Sequence, residues 1–106
     1  MLDKGVKLAL GTDIYFMSMA WHGRNAYELE LMTDFGMTPM EAIIAGTKTA
    51  SEAMELQNQV GTLEKGKLAD LIVVQGNPLK DIRVLQPPEN IRLVMKDGVI
   101  EVNRKV

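Results

Sequence analysis

A chain of 106 residues, 46% apolar and 25% charged, has the size and composition of one ordinary globular domain, which excludes disordered, collagen-like and low-complexity classes. Its 12 basic and 14 acidic side chains leave a net charge of −2, and apart from Arg104-Lys105 the basic residues are scattered, so no footprint for nucleic acid is present. The absence of cysteine removes disulfides, thiolate metal sites and cysteine nucleophiles together, leaving His, Asp and Glu as the donors for any metal.

The opening MLDKGVKLALGTD lacks the unbroken apolar core of a signal peptide, and no apolar run approaches the roughly 18 residues of a spanning helix. The expectation is a soluble, cytoplasmic chain that does not bind membranes. Val6 to Leu10 reads VKLAL and stops at Gly-Thr-Asp, which suits a strand buried on both faces of a parallel sheet. Asp13 then falls just past the strand's carboxyl end. The chain's one histidine, His22, follows nine residues later. On spacing alone, Asp13 is either a turn former or a functional carboxylate, and His22 either a solvated loop residue or a substrate contact.

Asn25, with Glu28 three residues on, predicts a capped helix over Ala26 to Phe35 that Gly36 stops. Thr38-Pro39-Met40-Glu41 is a stronger start: a capping threonine, a proline where no N–H is needed, and a glutamate that closes the box. Met40, Ile43, Ile44, Thr47, Ala50, Ser51 and Met54 keep helical spacing, predicting one helix to about Leu56, and Ala42, Ala45, Gly46 and Ala53 keep its surface thin. From Gly61 the chain becomes turn-rich. GTLEKGK matches the GxxxxGK spacing of a phosphate loop, but Leu68 stands where a Ser or Thr would hold magnesium and a strand follows, so a tight turn is the better reading. ADLIVVQ predicts a strand, and IRLVMKDGVIEV predicts a hairpin about Asp97-Gly98. The eight methionines read as gap fillers in the packing, and Trp21 as core, interface or pocket lining.

The succession GTD, HGxNxxELE, GMTPMEAIxAGT, GTLExGKxADLIVVxGNPLxDI and VMKDGxI resembles the C-terminal portion of metal-dependent amidohydrolases, in the imidazolonepropionase-like and prolidase-like branch. The resemblance covers nearly the whole chain. It implies an α/β fold: a partial (β/α)8 barrel over 1–58, comprising the last strand and the helices after it, and over 59–106 the C-terminal strands of a small β-sandwich. It implies that Asp13 is a metal ligand and catalytic proton acceptor, and that His22 sits in a substrate-binding loop over the site. The cofactor implied is a divalent metal, zinc in the first place.

The resemblance also marks a departure. The family's His-x-His pair, bridging lysine or glutamate and further histidines have no counterpart in a sequence with a single histidine. A catalytic zinc normally takes three protein ligands, so tight metal binding by this chain alone is not expected. The expectations are a fragment or truncated product of a hydrolase acting on C–N bonds of a cyclic amide or dipeptide-like substrate, inactive by itself. The alternatives are a non-catalytic assembly module, or half of a split enzyme completed by a complementary N-terminal chain. A barrel strand without neighbours also leads to the expectation of a homo-oligomer.

Overall fold

The computed structural model describes residues 4–11 and 24–105. Three short helices come first, α1 Tyr27–Asp34, α2 Pro39–Gly46 and α3 Lys48–Ala53, followed by the strands β1 Leu71–Val74, β2 Ile91–Lys96 and β3 Val99–Asn103. Between β1 and β2 lie two 3-10 helices, Ile82–Leu85 and Pro88–Asn90. The arrangement is a mixed helix and strand fold with the two kinds of element segregated along the chain.

The start of α2 forms as its sequence dictates. Thr38 has extended backbone, its hydroxyl accepts from the Glu41 N–H, and the Glu41 carboxylate accepts from the Thr38 N–H at 2.7 Å. Pro39 occupies the first turn, where its missing donor costs nothing. Ala42 and Ala45 are fully buried, and the small side chains let α2 approach its neighbours α1 and α3.

Three expectations are corrected. The helix predicted to run to Leu56 breaks at Thr47, whose φ of −124° and ψ of −84° separate α2 from α3. The causes are local: Gly46 has no side chain to stiffen the turn, and the Thr47 hydroxyl donates to the Ile43 carbonyl at 2.7 Å, an i−4 bond that bends helices. The helix ends at Ala53, and Glu55 takes a positive φ of 60°. At α1, Ala26 and not Asn25 is the cap, and no side chain caps it. The first N–H groups of Tyr27, Glu28 and Leu29 instead bond the carbonyls of Arg24, Asn25 and Ala26, a 3-10 entry that leaves the Asn25 side chain nothing to satisfy. Lastly, Val6–Leu10 joins no sheet ladder. A parallel strand is held by strands on both sides, whereas here, among the described residues, the segment is tied by the Leu10 N–H donating to the Ala45 carbonyl at 3.0 Å.

The hairpin matches its sequence. Asp97 and Gly98 both have positive φ, 49° and 76°, as a type I′ turn requires. The turn is tied down by the Asp97 N–H donating to Asp70 Oδ1 at 2.7 Å and the Gly98 N–H donating to the Ala69 carbonyl at 3.1 Å. The sheet is antiparallel in the order β1-β2-β3, with register shifts at Val73/Val74 and Val94/Met95.

The core is thin. Among the described residues only Ala42, Ala45 and Ile82 are buried apolar side chains, with Ser51 the buried polar one. Ile82 lies in the 3-10 helix that packs against α1, and the Gln86 side chain donates to the Glu30 carboxylate to join the same two segments. Helices contact helices and strands contact strands, with no broad contact between the two sets. Phe35, Met54, Leu63, Ile72, Val99 and Ile100 are each more than half exposed.

Candidate functional site

The C-terminal end of α2 is where the segment leading to Asp13 is anchored. Leu10 stands three residues before Asp13 in sequence. Its N–H bonds the last turn of α2, and its side chain lies against Gly46, where an added Cβ would meet Leu10 Cδ1 and Leu29 Cδ2, each at 3.6 Å. The same glycine therefore meets both 6–11 and α1. Lys7 adds a 3.2 Å ion pair to Glu52 on α3, exposed and of small energetic weight. On the far side, the backbone bond from Tyr27 to the Arg24 carbonyl opens α1. The described residues on either side of 12–23 are thus held at the end of α2, through Leu10, and at the start of α1, through Arg24.

Asp13 and His22 themselves, with Trp21, Met17 and Met19, lie outside the described residues. Among the described residues no group of three His, Asp or Glu side chains could hold a metal ion. The whole sequence has one histidine and no cysteine, so any donors beyond His22 are carboxylates. Those residues do not fit a catalytic zinc without further ligands, since such a site takes three from protein.

The described titratable groups form structural pairs. Asp81 accepts from the Arg83 side chain at 2.9 and 3.0 Å and from the Arg83 backbone N–H at 3.0 Å. These bonds hold its carboxyl below the ordinary value and raise the guanidinium above its own. Glu64 is likewise lowered, first by its hydrogen bond from Lys67 and then by Thr62. Lys67 lies 2.8 Å from Glu64 and donates to the Thr62 hydroxyl at 2.6 Å. The GTLEKGK segment is therefore closed on itself as a turn, with Gly61 and Gly66 at positive φ of 99° and 93°, and Lys67, at the position of a phosphate-loop lysine, is already paired. The tie between Glu30 and Gln86, 56 residues apart, was beyond sequence reasoning, because neither residue belongs to a motif.

Comparison with known proteins places this scaffold. The amidohydrolase family profile matches residues 1–100, and the chain belongs to that family. An ochratoxinase of Aspergillus niger is 42% identical over 99 residues, covering 92% of this chain and 20% of the relative. An imidazolonepropionase of Geobacillus kaustophilus is 32% identical over 103 residues, covering 97% of this chain and 24% of the relative. Among solved structures, that of a Xaa-Pro dipeptidase with methionine bound in its active site superposes with a TM-score of 0.86 at 40% identity, covering 96% of this chain and 24% of that one. The resemblance to imidazolonepropionase-like and prolidase-like enzymes is thus shown. The chain spans a fifth to a quarter of the length of these relatives. Among the described residues no helix is long and apolar enough to cross a membrane.

Proposed function

We propose that this chain is the C-terminal part of a metal-dependent amidohydrolase that hydrolyses a C–N bond in a dipeptide-like or cyclic amide substrate. The observation that carries the reading is the 40% identity and 0.86 TM-score to a Xaa-Pro dipeptidase across 96% of the chain. Residues 1–58 are then the end of a (β/α)8 barrel, with 6–12 as its eighth strand, and 59–106 contribute strands to a small β-sandwich. This account also explains the missing ladder at Val6–Leu10: the partners of a barrel strand come from the rest of the barrel.

In this reading Asp13 stands at the carboxyl end of a barrel strand, the face on which such barrels carry their chemistry. It supplies a carboxylate ligand, and His22 contacts substrate from the following loop. The remaining ligands come from polypeptide outside these 106 residues. Because the donors present do not make the centre alone, no catalytic step is assigned to the isolated chain. The short donor set also favours a second reading, a module that assembles with other chains without catalysis of its own.

Zinc titration of the purified 106-residue chain, followed by assay on dipeptides and lactams, tests the proposal. The expected result is no tight site and no turnover. A micromolar-or-better site accompanied by hydrolysis would contradict it, because the chain would then hold a complete centre.

A further inference from the structure

Asp97–Gly98 is the sole place in the sequence where an Asp or Asn precedes Gly. That pairing least hinders attack of a main-chain nitrogen on the neighbouring side-chain carboxyl, because glycine carries no side chain to block the approach and rotates freely into it. In the reaction the Gly98 nitrogen bonds to Asp97 Cγ, and the hydroxyl of the carboxyl in its acid form leaves with the amide proton as water, closing a five-membered succinimide. Water then reopens the ring. Attack at Cγ restores aspartate, while attack at the Asp97 main-chain carbonyl carbon breaks its bond to the Gly98 nitrogen and leaves isoaspartate, with the backbone routed through the side chain. Composition and oxidation state are unchanged overall, and water is the only co-reactant.

The hairpin decides how fast this pair reacts. Asp97 and Gly98 are both exposed, so water reaches the bond, and they form the turn that the ladder pair Lys96–Val99 closes. The attacking nitrogen, however, is engaged: the Gly98 N–H donates to the Ala69 carbonyl at 3.1 Å. One residue earlier, the Asp97 N–H donates to Asp70 Oδ1 at 2.7 Å, a charge-assisted bond of the stronger class. Both peptide groups that flank Asp97 are thereby fastened to residues 69–70, just ahead of β1. Ring closure requires the turn to lift away from them.

We infer that Asp97–Gly98 is a modification site that isomerises to isoaspartate through the succinimide, and that Asp70 is the guard that sets its rate by holding the turn shut. The rate follows the population of the opened turn, because local opening and reclosing are fast beside the chemistry. The product does not fit the native hairpin. Isoaspartate inserts an extra backbone carbon into a two-residue turn whose twist is matched to its strands, so the modified chain loses the Lys96–Val99 closure and β3 loosens from β2. This inference does not depend on the hydrolase reading, because it uses only the hairpin and the residues it is tied to.

The test is to incubate the 106-residue chain at neutral pH and physiological temperature, folded and in guanidinium chloride, and to follow isoaspartate by fragmentation mass spectrometry. Isoaspartate is expected at Asp97, forming at least about tenfold more slowly in the folded chain than in the unfolded one. Asp70→Ala is expected to speed the folded chain about tenfold, the weight of a hydrogen bond to a charged group. Asp70→Asn, which keeps an uncharged acceptor, should fall between the two, and amide hydrogen exchange at Gly98, which reads the opening itself, should rise by the same factor as the isomerisation in that variant. Thr38→Ala weakens the helical part without touching the hairpin and is expected to leave the rate unchanged. Equal rates in folded and unfolded chains, no isoaspartate in either, a rate and a Gly98 exchange both indifferent to Asp70→Asn, or acceleration by Thr38→Ala as large as that by Asp70→Ala would each overturn the inference.

Discussion

Gly61 shows at the residue scale how little tolerance the turn after α3 has. Its φ is 99°, and a Cβ there would lie 2.2 Å from Ser51 Oγ and 3.1 Å from the Thr47 carbonyl oxygen. Gly61→Ala is therefore expected to cost about 2 kcal/mol or more, from the backbone strain and the clash together, measured as a lowered urea midpoint. Thr38→Ala should cost about 1 kcal/mol, because it breaks the Thr38 side of the capping box. Glu64 and Asp81 have folded values below their ordinary 4.5 and 3.8. Such groups contribute stability that is present above the ordinary values and is lost as pH falls through the lowered ones. A denaturation midpoint followed through acid should fall in that window, and Asp81→Asn should flatten part of the dependence. Both carboxylates are exposed, so the effect is small and weakened by salt. The Thr38 box was legible in sequence because every part of it lies within four residues. The tight seat of Gly61 against Ser51 was not, because it depends on a packing contact ten positions away.

At the scale of elements, what was legible is what local chemistry decides. Asp97-Gly98 specified its hairpin, and ADLIVVQ specified β1, through turn residues and β-branched runs that act within a few positions. The long helix was misjudged where two local signals compete: apolar spacing continues through Thr47, while Gly46 and the Thr47 hydroxyl favour a break. Thr47→Ala is accordingly expected to add helicity in far-UV circular dichroism by joining α2 to α3, and unchanged helicity would show that Gly46 alone sets the break. Val6–Leu10 was misjudged for a different reason. Its apolar pattern anticipates two strand neighbours, and a pattern does not reveal whether those neighbours are present. The segment is instead held to α2 through Leu10 and Ala45.

For the whole molecule, membership of the amidohydrolase family rests on a match over residues 1–100, and it was legible because the chain retains several motifs in fixed order. The site residues proposed from the sequence, Asp13 and His22, lie outside the described residues, and the sequence holds a single histidine. Among the described residues the core is thin and Phe35, Met54 and Leu63 are more than half exposed, which is consistent with the proposal that further polypeptide completes the fold and the metal centre. The most direct test is to co-express the chain with the upstream barrel segment of the 40%-identical Xaa-Pro dipeptidase and to measure zinc content and dipeptide hydrolysis of the purified complex. The account predicts bound zinc and hydrolysis with the natural chain, and loss of hydrolysis with reduced zinc for Asp13→Asn. A complex that hydrolyses dipeptides equally well with Asp13→Asn would contradict it.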